Sequence, residues 1–369
     1  MRIFIGGDIT PTDITKPGFD RGDIVSLFGD IPELLKTGDR VIANLECALT
    51  QSDTPIRKCG PNLRGRPAYA QVLRQAGITD VGLANNHVFD FGRPGYDDTL
   101  RALAAAGLPY TGVGENEQDA RRTHYMDIEG KKIALLAFAE HEYSYALDDR
   151  AGVRGFDPYD ALEDIALARS QADYVLVTYH GGKEQSRFPS PRLRKACRAM
   201  ARAGANAVLC QHSHCIGAYE EYRGAHLLYG QGNFNFVGYI DHPHWKNGLL
   251  VQLDLDAACR STITFHPLVA AAGGVTLAGE AERARLLGEL RERSELLQDE
   301  KAWLAEWHQF CADLAPQYRQ AVAGAFPDHQ SPVPEQIFPH YLDCEAHTDV
   351  WRELYPTWHR EKTDETGSY

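Results

Sequence analysis

The chain has 369 residues, enough for one large catalytic domain with an extension, and its length does not require two independent cores. Hydrophobic residues make up 43% and charged residues 24% of the sequence, which excludes a disordered or fibrous protein and predicts a packed core. The formal net charge of -13 disfavours sequence-independent binding to nucleic acid backbones.

No targeting or membrane segment is evident in the sequence. The first residues form a short apolar run that ends in Gly7 and Asp8, without the basic start and long apolar segment of a secretory signal. No later run approaches the uncharged length that a bilayer span requires. We therefore expect a cytoplasmic protein with no membrane span and no nucleic acid partner. The eight cysteines include no Cys-x-x-Cys pair, which disfavours a zinc ribbon or a disulfide scaffold.

The first two thirds of the chain alternate short apolar runs with helical patterns, which is typical of sheets covered by helices. This rhythm predicts an α/β fold. The predicted strands are 2–5, 41–43, 79–83, 125–128, 132–139, 174–178, 207–210, 225–229 and 249–255. The predicted helices are 31–36, 67–76, 94–106, 158–171 and 191–203, and a loop rich in Pro, Gly and basic residues covers 54–66.

The sequence pattern changes beyond Gly274. Leu, Ala, Glu and Arg dominate from Glu280 to about Ala325, with apolar residues at helical spacing. The tail after Pro327 has no clear periodicity and is expected to be loop-like, with 361–369 frayed. We therefore predict a catalytic domain over 1–270 and a helical extension with its tail over 275–369. The extension is equally compatible with binding partner subunits and with covering the catalytic core as a lid.

Six polar motifs lie where apolar strands end, the usual position of active sites in α/β proteins. They are Gly7-Asp8, Asn44-Leu45-Glu46, Asn85-Asn86-His87 with Asp90, His180-Gly181-Gly182, His212-Ser213-His214 and Gly230-Gln231-Gly232-Asn233-Phe234. Taken singly, each has a structural explanation, such as a capping aspartate, a loop ion pair or a hydrogen-bonded core histidine. Their combination in one chain is harder to explain by structure alone.

The donor types in these motifs suit metal ions. A pair of divalent cations needs a bridging carboxylate, several neutral imidazoles and open positions for water. Two carboxylates, one amide oxygen and three imidazoles meet this need, and the candidate metal ligands are Asp8, Glu46, Asn86, His180, His212 and His214. The last two are separated by one residue, so in an extended or loop backbone they would point the same way and could bind two ions in one site.

The same motifs carry a resemblance to a known family. Residues 82–92, Gly-Leu-Ala-Asn-Asn-His-Val-Phe-Asp-Phe-Gly, are followed by the His-Gly-Gly-Lys-Glu, His-Ser-His and Gly-Gln-Gly-Asn-Phe segments and preceded by Asn-Leu-Glu. This order resembles the CapA family of capsule and poly-γ-glutamate biosynthesis proteins, over about 1–235. Those proteins resemble calcineurin-like metallophosphoesterases in fold, which implies a layered α/β/β/α sandwich.

The resemblance also implies a role for each ligand. Asp8 and His214 would bind one metal, while Asn86, His180 and His212 would bind the other, with Glu46 at the bridging position; manganese, zinc and iron are the candidate metals. His87 resembles a histidine that contacts the leaving oxygen of the substrate. Thr10 stands where those phosphoesterases carry a further histidine ligand, so the first metal would be under-coordinated, held more weakly or replaced by water. Glu46 replaces a shorter aspartate, which would move the bridging carboxylate or the metals.

The implied chemistry is hydrolysis of a phosphoester by a water shared between the two ions, with His87 as acid or electrostatic donor. Asp90 would orient His87 or merely shape a turn. An anionic small-molecule or polymer substrate would meet the basic loop, whose candidate contacts are Arg57, Lys58, Asn62 and Arg64; a solvated loop is the structural alternative. Lys183 and Glu184 would line the cleft or form a surface ion pair.

Two further functions stay open at this point. The family name suggests action on the amide bonds of a γ-linked glutamate polymer, whose carboxylates the basic loop would meet. The other is a biosynthetic accessory protein that retains metals for structure or binding and catalyses nothing. Phosphoester turnover, polymer cleavage and metal retention without activity would separate the three.

Overall fold

A computed structural model describes residues 1–238, 242–326 and 336–355 of the chain. Its strands, in chain order, are β1 (Arg2–Ile9), β2 (Arg40–Leu45), β3 (Ala48–Leu49), β4 (Arg64–Gly65), β5 (Asp80–Gly82), β6 (Tyr110–Thr111), β7 (Val113–Gly114), β8 (His124–Ile128), β9 (Lys131–Ala139), β10 (Gly152–Val153), β11 (Tyr174–His180), β12 (Ala207–Gln211), β13 (Tyr219–Tyr222), β14 (Ala225–Leu228), β15 (Asn233–Asn235), β16 (Asn247–Leu255), β17 (Ser261–Ala271) and β18 (Gly274–Leu277). Its helices are α1 (Lys16–Arg21), α2 (Ile24–Phe28), α3 (Ile31–Leu35), α4 (Tyr69–Gln75), α5 (Gly92–Ala105), α6 (Glu117–Ala120), α7 (Pro158–Gln171), α8 (Pro191–Ala203), α9 (Glu280–Gln298), α10 (Glu300–Gly324), α11 (Ile337–Asp343) and α12 (Glu345–Leu354).

Two large sheets organise these elements. The larger has the order β18-β17-β16-β1-β2-β5-β6, with β15 also paired to β1, and the smaller has the order β13-β14-β12-β11-β9-β8. In the larger sheet β15, β1, β2, β5 and β6 run parallel, and in the smaller sheet β9, β11, β12 and β14 do. The carboxyl ends of each parallel set therefore lie at one edge of its sheet.

Side chains from the two sheets meet in one core and each outer face meets helices. Alternate residues of β1 separate the layers, because Ile3 and Ile5 pack with Leu135 and Leu176 of the smaller sheet. Phe4 faces the other way and joins residues of α2, α3 and α4 in a second core. A third core lies between the smaller sheet and α7 and α8. The predicted α/β/β/α sandwich is confirmed by this layering.

Two predicted helices have the same bounds in the structure, because their ends carry strong local sequence signals. The helices expected over 158–171 and 191–203 begin at prolines, and their N-terminal amides are capped by Asp157 and Ser190. The strands predicted over 125–128 and 132–139 form the antiparallel pair β8 and β9, which turns at Glu129 and Gly130, both with positive φ, 51° and 80°. This conformation matches the tight turns that join antiparallel strands.

Other elements differ from the sequence predictions. Helices α1 and α2, of 6 and 5 residues, were not predicted from the sequence. β1 continues through Gly6 and Gly7 to Ile9, beyond the predicted end at residue 5. A Cβ at Gly7 would lie 2.1 Å from the carbonyl oxygen of Gly232, so glycine permits the close approach of the segment before β15.

The C-terminal part contains more helix than expected. The single pattern predicted over 280–325 is two helices divided at Asp299, whose carboxylate caps α10. The loop-like tail was a wrong prediction for α11 and α12, which pack Tyr341 and Val350 against α10. Residues 361–369 lie outside the described part. The predicted boundary, with a catalytic domain ending at 270 and an extension beginning at 275, stays a prediction. β18 begins at Gly274 and pairs with β17 in the larger sheet.

No helix in the described ranges is long and apolar enough to cross a membrane.

A buried polar network joins α12 to the smaller sheet. The Arg192 guanidinium at the start of α8 donates to Glu140 at 2.5 Å and to Asp349 of α12 at 2.8 Å. Ser190 also donates to Asp349, at 2.5 Å. The second carboxylate oxygen of Glu140 accepts from the Ala346 amide at 3.0 Å, in the first turn of α12. A carboxylate at a helix N-terminus is stabilising, so Glu140 both caps α12 and pairs with Arg192.

Replacing Arg192 tests this network. We expect Arg192→Met to lower the free energy of unfolding by about 3 kcal/mol, because it leaves two buried carboxylates without their cation. Denaturant unfolding of the full chain measures the change. Arg202→Met, at an exposed position of the same helix, is the control and should stay within about 0.5 kcal/mol of the parent. Equal stability of the two variants would contradict the network's contribution.

Candidate metal centre

The polar motifs meet where the carboxyl ends of the parallel strands of both sheets lie together. In the larger sheet Asp8 stands opposite Asn44 on one neighbouring strand and opposite Asn233 on the other. In the smaller sheet His180 is the last residue of β11 and pairs in register with Gln211, the residue before His212. Strand register therefore delivers side chains from both sheets to one place.

The first group of donors surrounds Nε2 of His180. This nitrogen lies 3.0 Å from Oδ1 of Asn86, 3.1 Å from Nδ1 of His212 and 3.3 Å from Oε1 of Glu46. The ligand atoms of His180, His212 and Glu46 all lie within 4.8 Å of one another. Two imidazoles, a carboxylate and an amide oxygen converging on one point form a donor set suited to a divalent cation.

The second group contains Asp8, Glu46 and His214, again with ligand atoms within 4.8 Å of one another. Oδ2 of Asp8 lies 3.6 Å from Nδ1 of His214 and accepts from the backbone amide of His212 at 3.1 Å. Oδ1 of Asp8 accepts from Nδ2 of Asn44 at 2.7 Å. These bonds fix the aspartate, and Glu46 belongs to both groups.

Glu46 shows how well the site fits a cation. Its side chain is fully buried, and neither carboxylate oxygen has a hydrogen-bond partner within the described ranges. An ionised carboxylate that is buried in this way destabilises the folded chain by several kcal/mol unless a positive charge compensates it. Removing one partner of a buried ion pair costs about 3 to 5 kcal/mol, because the remaining charge is left uncompensated. Cations held between the two donor groups would supply that charge, so the residues present fit a metal centre with Glu46 in the shared position.

Thr10 takes a structural position beside Glu46. Its buried hydroxyl donates to the backbone carbonyl of Glu46 at 2.8 Å, and the Glu46 amide donates to the Ile9 carbonyl at 2.9 Å. Thr10 thus anchors the backbone that carries the shared carboxylate.

The two histidines of the His-Ser-His motif reach the site from a loop whose backbone is strained. His212 and His214 have φ values of 83° and 52°, in the left-handed region that residues with a Cβ seldom adopt. The ring of Trp245 lies 4.0 Å from that of His214, centroid to centroid, and holds it from behind. Strain of this kind is retained where the surrounding structure fixes functional groups.

Electrostatics favour metal-binding protonation states of the histidines. Burial lowers the pKa of His212 and of His214 to about 4, so both imidazoles are neutral near pH 7 and can offer a lone pair. Burial, with Glu46 adding to it, raises the pKa of Asp8 to about 6. Burial and the neighbouring carboxylate of Glu184 raise the pKa of Glu46 well above its ordinary value. A bound cation would therefore displace protons chiefly from carboxyl groups.

A second polar cluster stands beside the donor groups. Oδ2 of Asp90 lies 2.7 Å from Nδ1 of His87, and Nζ of Lys58 donates to Oδ1 of Asp90 at 2.6 Å. The ammonium is also 3.1 Å from Nδ1 of His87 and donates to the Asn86 carbonyl at 3.2 Å. Because these contacts involve Nδ1, Nε2 is the His87 nitrogen that can meet a substrate. Burial and the Lys58 charge lower the pKa of His87.

The remaining candidates of the basic loop contact other parts of the chain. Asn62 donates to the carbonyls of Ile56 and Asp90 and so ties the loop to the His87 turn. Arg64 donates to the Ser52 carbonyl, and its guanidinium lies 5.1 Å from the centre of the Phe91 ring. Arg57 lies against the side-chain amide of Gln336. The structure therefore brings Lys58 into contact with the His87 cluster, whereas Arg64 is engaged elsewhere.

Lys183 and Glu184 lie on the loop after β11. Lys183 is partly buried and Glu184 is exposed. This loop returns to the metal groups, because the Gln185 amide donates to the Ser213 carbonyl at 2.8 Å. The pair therefore borders the site without belonging to either donor group.

Sequence reasoning missed several polar residues of the site. Asn44 and Asn233 lie within motifs that were recognised and hold Asp8 and His214, respectively. Glu142, in a Glu-His-Glu run after β9, places Oε2 3.7 Å from Nε2 of His212. Its Oε1 meets Nε2 of His340, from α11, at 3.1 Å. Polar residues after a buried strand are a signal for the glutamate, whereas nothing in the tail indicated the histidine.

Comparisons with known proteins place most of this chain in one family. Residues 2–237 match the family model described as bacterial capsule synthesis protein PGA_cap. The chain is 30% identical over 239 residues to the capsule biosynthesis protein CapA of Bacillus anthracis, covering 62% of this chain and 58% of that protein. It is 31% identical over 220 residues to the PGA biosynthesis protein CapA of Bacillus subtilis (strain 168), covering 57% of each. The chain thus spans less than two thirds of these relatives.

Solved structures give weaker likenesses. A hypothetical protein from Thermus thermophilus is 17% identical with a TM-score of 0.46, covering 73% of this chain and 100% of that one. A 5'-nucleotidase precursor from the same organism is 12% identical with a TM-score of 0.45, covering 81% of this chain and 59% of that one. Both scores are below 0.5, so neither likeness supports an inference about activity.

Neutralising the shared carboxylate tests the metal centre. We expect Mn²⁺ at about 100 times its dissociation constant to stabilise the parent chain by about 2.7 kcal/mol against unfolding. Glu46→Gln should abolish most of this stabilisation, because both donor groups lose their common charge. Thermal unfolding with Mn²⁺ and with chelator measures the difference. Glu33→Gln, at an exposed glutamate of α3, should behave as the parent. If Mn²⁺ stabilised Glu46→Gln as fully as the parent chain, Glu46 would not be the carboxylate that the two donor groups share.

The pH dependence of metal binding should follow the carboxyl groups. Below about pH 6 the Asp8 carboxyl is protonated and a cation must displace that proton, whereas His212 and His214 stay neutral down to about pH 4. Metal affinity should therefore fall as the pH is lowered from 7 to 5. Chelator competition at several pH values measures the slope, which should be smaller by about one proton in Asp8→Asn. An unchanged slope in that variant would assign the proton to another group.

Proposed function

We propose that this chain, which belongs to the bacterial capsule synthesis protein family PGA_cap, is a hydrolase that uses two divalent cations to cleave a phosphoester. The family membership confirms the CapA resemblance predicted from the motifs. We place its reaction in capsule or polyglutamate metabolism because the two Bacillus relatives are described as capsule and PGA biosynthesis proteins. Manganese, zinc and iron are the candidate metals.

One observation carries the proposal: a single buried carboxylate, that of Glu46, belongs to two separate groups of metal donors. A mononuclear site needs no shared ligand, and a structural site closes its coordination with protein groups. The two groups here contain three protein donors each, or four where Asn86 is added, which would leave positions for water and substrate. This arrangement favours a dinuclear catalytic centre over a structural one.

When bound, the two cations would polarise a phosphoryl group and lower the pKa of a water for attack on phosphorus. The chain's own residues would then set geometry and charge. Asp8 is fixed by Asn44 and by the His212 amide, so its carboxylate is oriented before any metal binds. Such prior orientation lowers the reorganisation needed in the transition state.

His87 would handle the proton of the leaving group. Asp90 orients the ring through Nδ1, so Nε2 would face the leaving oxygen. The lowered pKa keeps His87 neutral in the free protein, and a dianionic phosphoester beside it would favour the protonated form. Lys58 would hold Asp90 in place and add positive charge for an anionic substrate.

The second candidate function is action on an amide of a γ-linked glutamate polymer. It is favoured by the description of the Bacillus subtilis relative as a PGA biosynthesis protein. The Lys58 charge would suit a polymer carboxylate as well as a phosphate. A metal-retaining accessory protein without activity is the third reading, and the same experiment separates all of them.

The test uses the full chain loaded with Mn²⁺ or Zn²⁺. Its substrates are a phosphomonoester and a phosphodiester of p-nitrophenol, with γ-linked polyglutamate in parallel. We expect the parent chain to hydrolyse a phosphoester. His212→Ala should lose both the bound metal and this activity. His87→Gln should keep the metal but lower kcat by about 10² to 10⁴-fold, because it removes a proton donor.

The matched control is His308→Gln, at a partly exposed histidine of α10 that pairs with Glu353 and has no contact with the donor groups. Its kcat and metal content should equal those of the parent chain. Activity that survives in His212→Ala would remove the proposed mechanism. Polymer cleavage alone would favour the amide reading, and bound metal with neither activity would favour the accessory role.

A further inference from the structure

The C-terminal helices α11 and α12 lie against the segment that follows β9, next to the metal groups. Besides the network of Arg192, Glu345 of α12 accepts from the His141 amide at 2.8 Å and places its other oxygen 2.7 Å from Nδ1 of His141. Glu140 accepts from the Ala346 amide and so caps α12 as well. The helices are thus fixed on Glu140 and His141, immediately before Glu142.

Glu142 connects this C-terminal part to a metal donor. One of its oxygens is 3.7 Å from Nε2 of His212, and the other is 3.1 Å from Nε2 of His340. Nδ1 of His212 faces His180 at 3.1 Å, so the two ring nitrogens of His212 have different surroundings. A carboxylate near Nε2 favours the tautomer with its proton there, and the lone pair of Nδ1 then points to the donor group.

His340 is itself held in place by aromatic rings. It stacks on Tyr143 with ring centres 4.9 Å apart and meets His347 edge-on at 4.7 Å. Tyr143 has a φ of 57°, and its hydroxyl accepts from the Cys59 amide at 2.9 Å, next to Lys58. A bulky residue in the left-handed region costs about 1 to 3 kcal/mol, so the surrounding contacts must fix it. The same stack therefore borders both the metal donors and the Lys58 loop.

We propose that His340 is a positioning residue of the metal centre: it fixes the carboxylate of Glu142, which sets the tautomer and orientation of His212. This inference rests on the proposed function, because it concerns a ligand of the same cations. Residue 340 lies outside the stretch that matches the PGA_cap model, which ends at 237. The metal affinity of this chain therefore depends on a helix beyond the family core.

The test measures Mn²⁺ and Zn²⁺ affinity of the full chain by chelator competition. Partners that orient a ligating histidine typically change metal affinity about 10 to 100-fold when removed. We expect that loss in His340→Ala and in Glu142→Ala. The double variant should bind no more weakly than Glu142→Ala, because both substitutions break the same connection. His340→Gln, whose amide can donate to Glu142, should recover part of the affinity.

Two further measurements separate positioning from a general loss of structure. Leu342→Ala, at an exposed position of α11, should bind metal as the parent does. In chelator, [¹⁵N]histidine spectra should show the His212 proton on Nε2 in the parent and a mixture of tautomers in His340→Ala. That change does not follow from a structural role alone.

Parent-like affinity and an unchanged His212 tautomer in both His340→Ala and Glu142→Ala would overturn the inference while leaving the metal centre intact. Equal weakening in Leu342→Ala would also overturn it, because the effect would then come from α11 as a whole. A parent chain that binds neither Mn²⁺ nor Zn²⁺ would overturn both this inference and the proposed function.

Discussion

The structure of the site depends on one electrostatic constraint, the burial of the Glu46 carboxylate among histidines, an amide and other carboxylates without a hydrogen-bond donor of its own within the described residues. A carboxyl group in that position must either keep its proton or meet a cation. Burial raises its pKa well above the ordinary value, and the neighbouring imidazoles are kept neutral. The arrangement costs stability in the absence of metal and favours metal binding, a balance expected of a functional site.

The sandwich makes this arrangement possible because each sheet contributes different chemistry at the same edge. The larger sheet contributes the oxygen donors Asp8 and Glu46, and the smaller sheet contributes His180 and leads directly to His212. Neither sheet alone has a complete donor set. The close approach of the two layers over Ile3, Ile5, Leu135 and Leu176 therefore determines the distances between donors, and a large change in that core would move both metal groups. The C-terminal helices extend the same dependence through Glu142 and His340.

The sequence predicted what is local or periodic. Helices with a proline start and a capping residue were located to the residue, and each strand-ending polar motif lies at the edge where donors converge. It did not predict α11 and α12, short helices that are stabilised by contacts with α10 and Arg192, which are distant in sequence. For the same reason nothing in the tail indicated His340. The loop arginines are suited to an anion by their charge, but Arg64 is engaged by Ser52 and Phe91, a competition that a linear pattern cannot show.

Anomalous diffraction from a crystal of the full chain grown with Mn²⁺ tests directly whether Glu46 is shared between two cations. A Glu46 carboxylate shared between two cations predicts two anomalous peaks about 3.5 to 4 Å apart, with one oxygen of Glu46 within about 2.2 Å of each. His180 and His212 should bind one ion, and Asp8 and His214 the other. Peaks away from Glu46, or no peak at a Mn²⁺ concentration that saturates the protein in solution, would contradict the central claim that this buried carboxylate is shared between two cations.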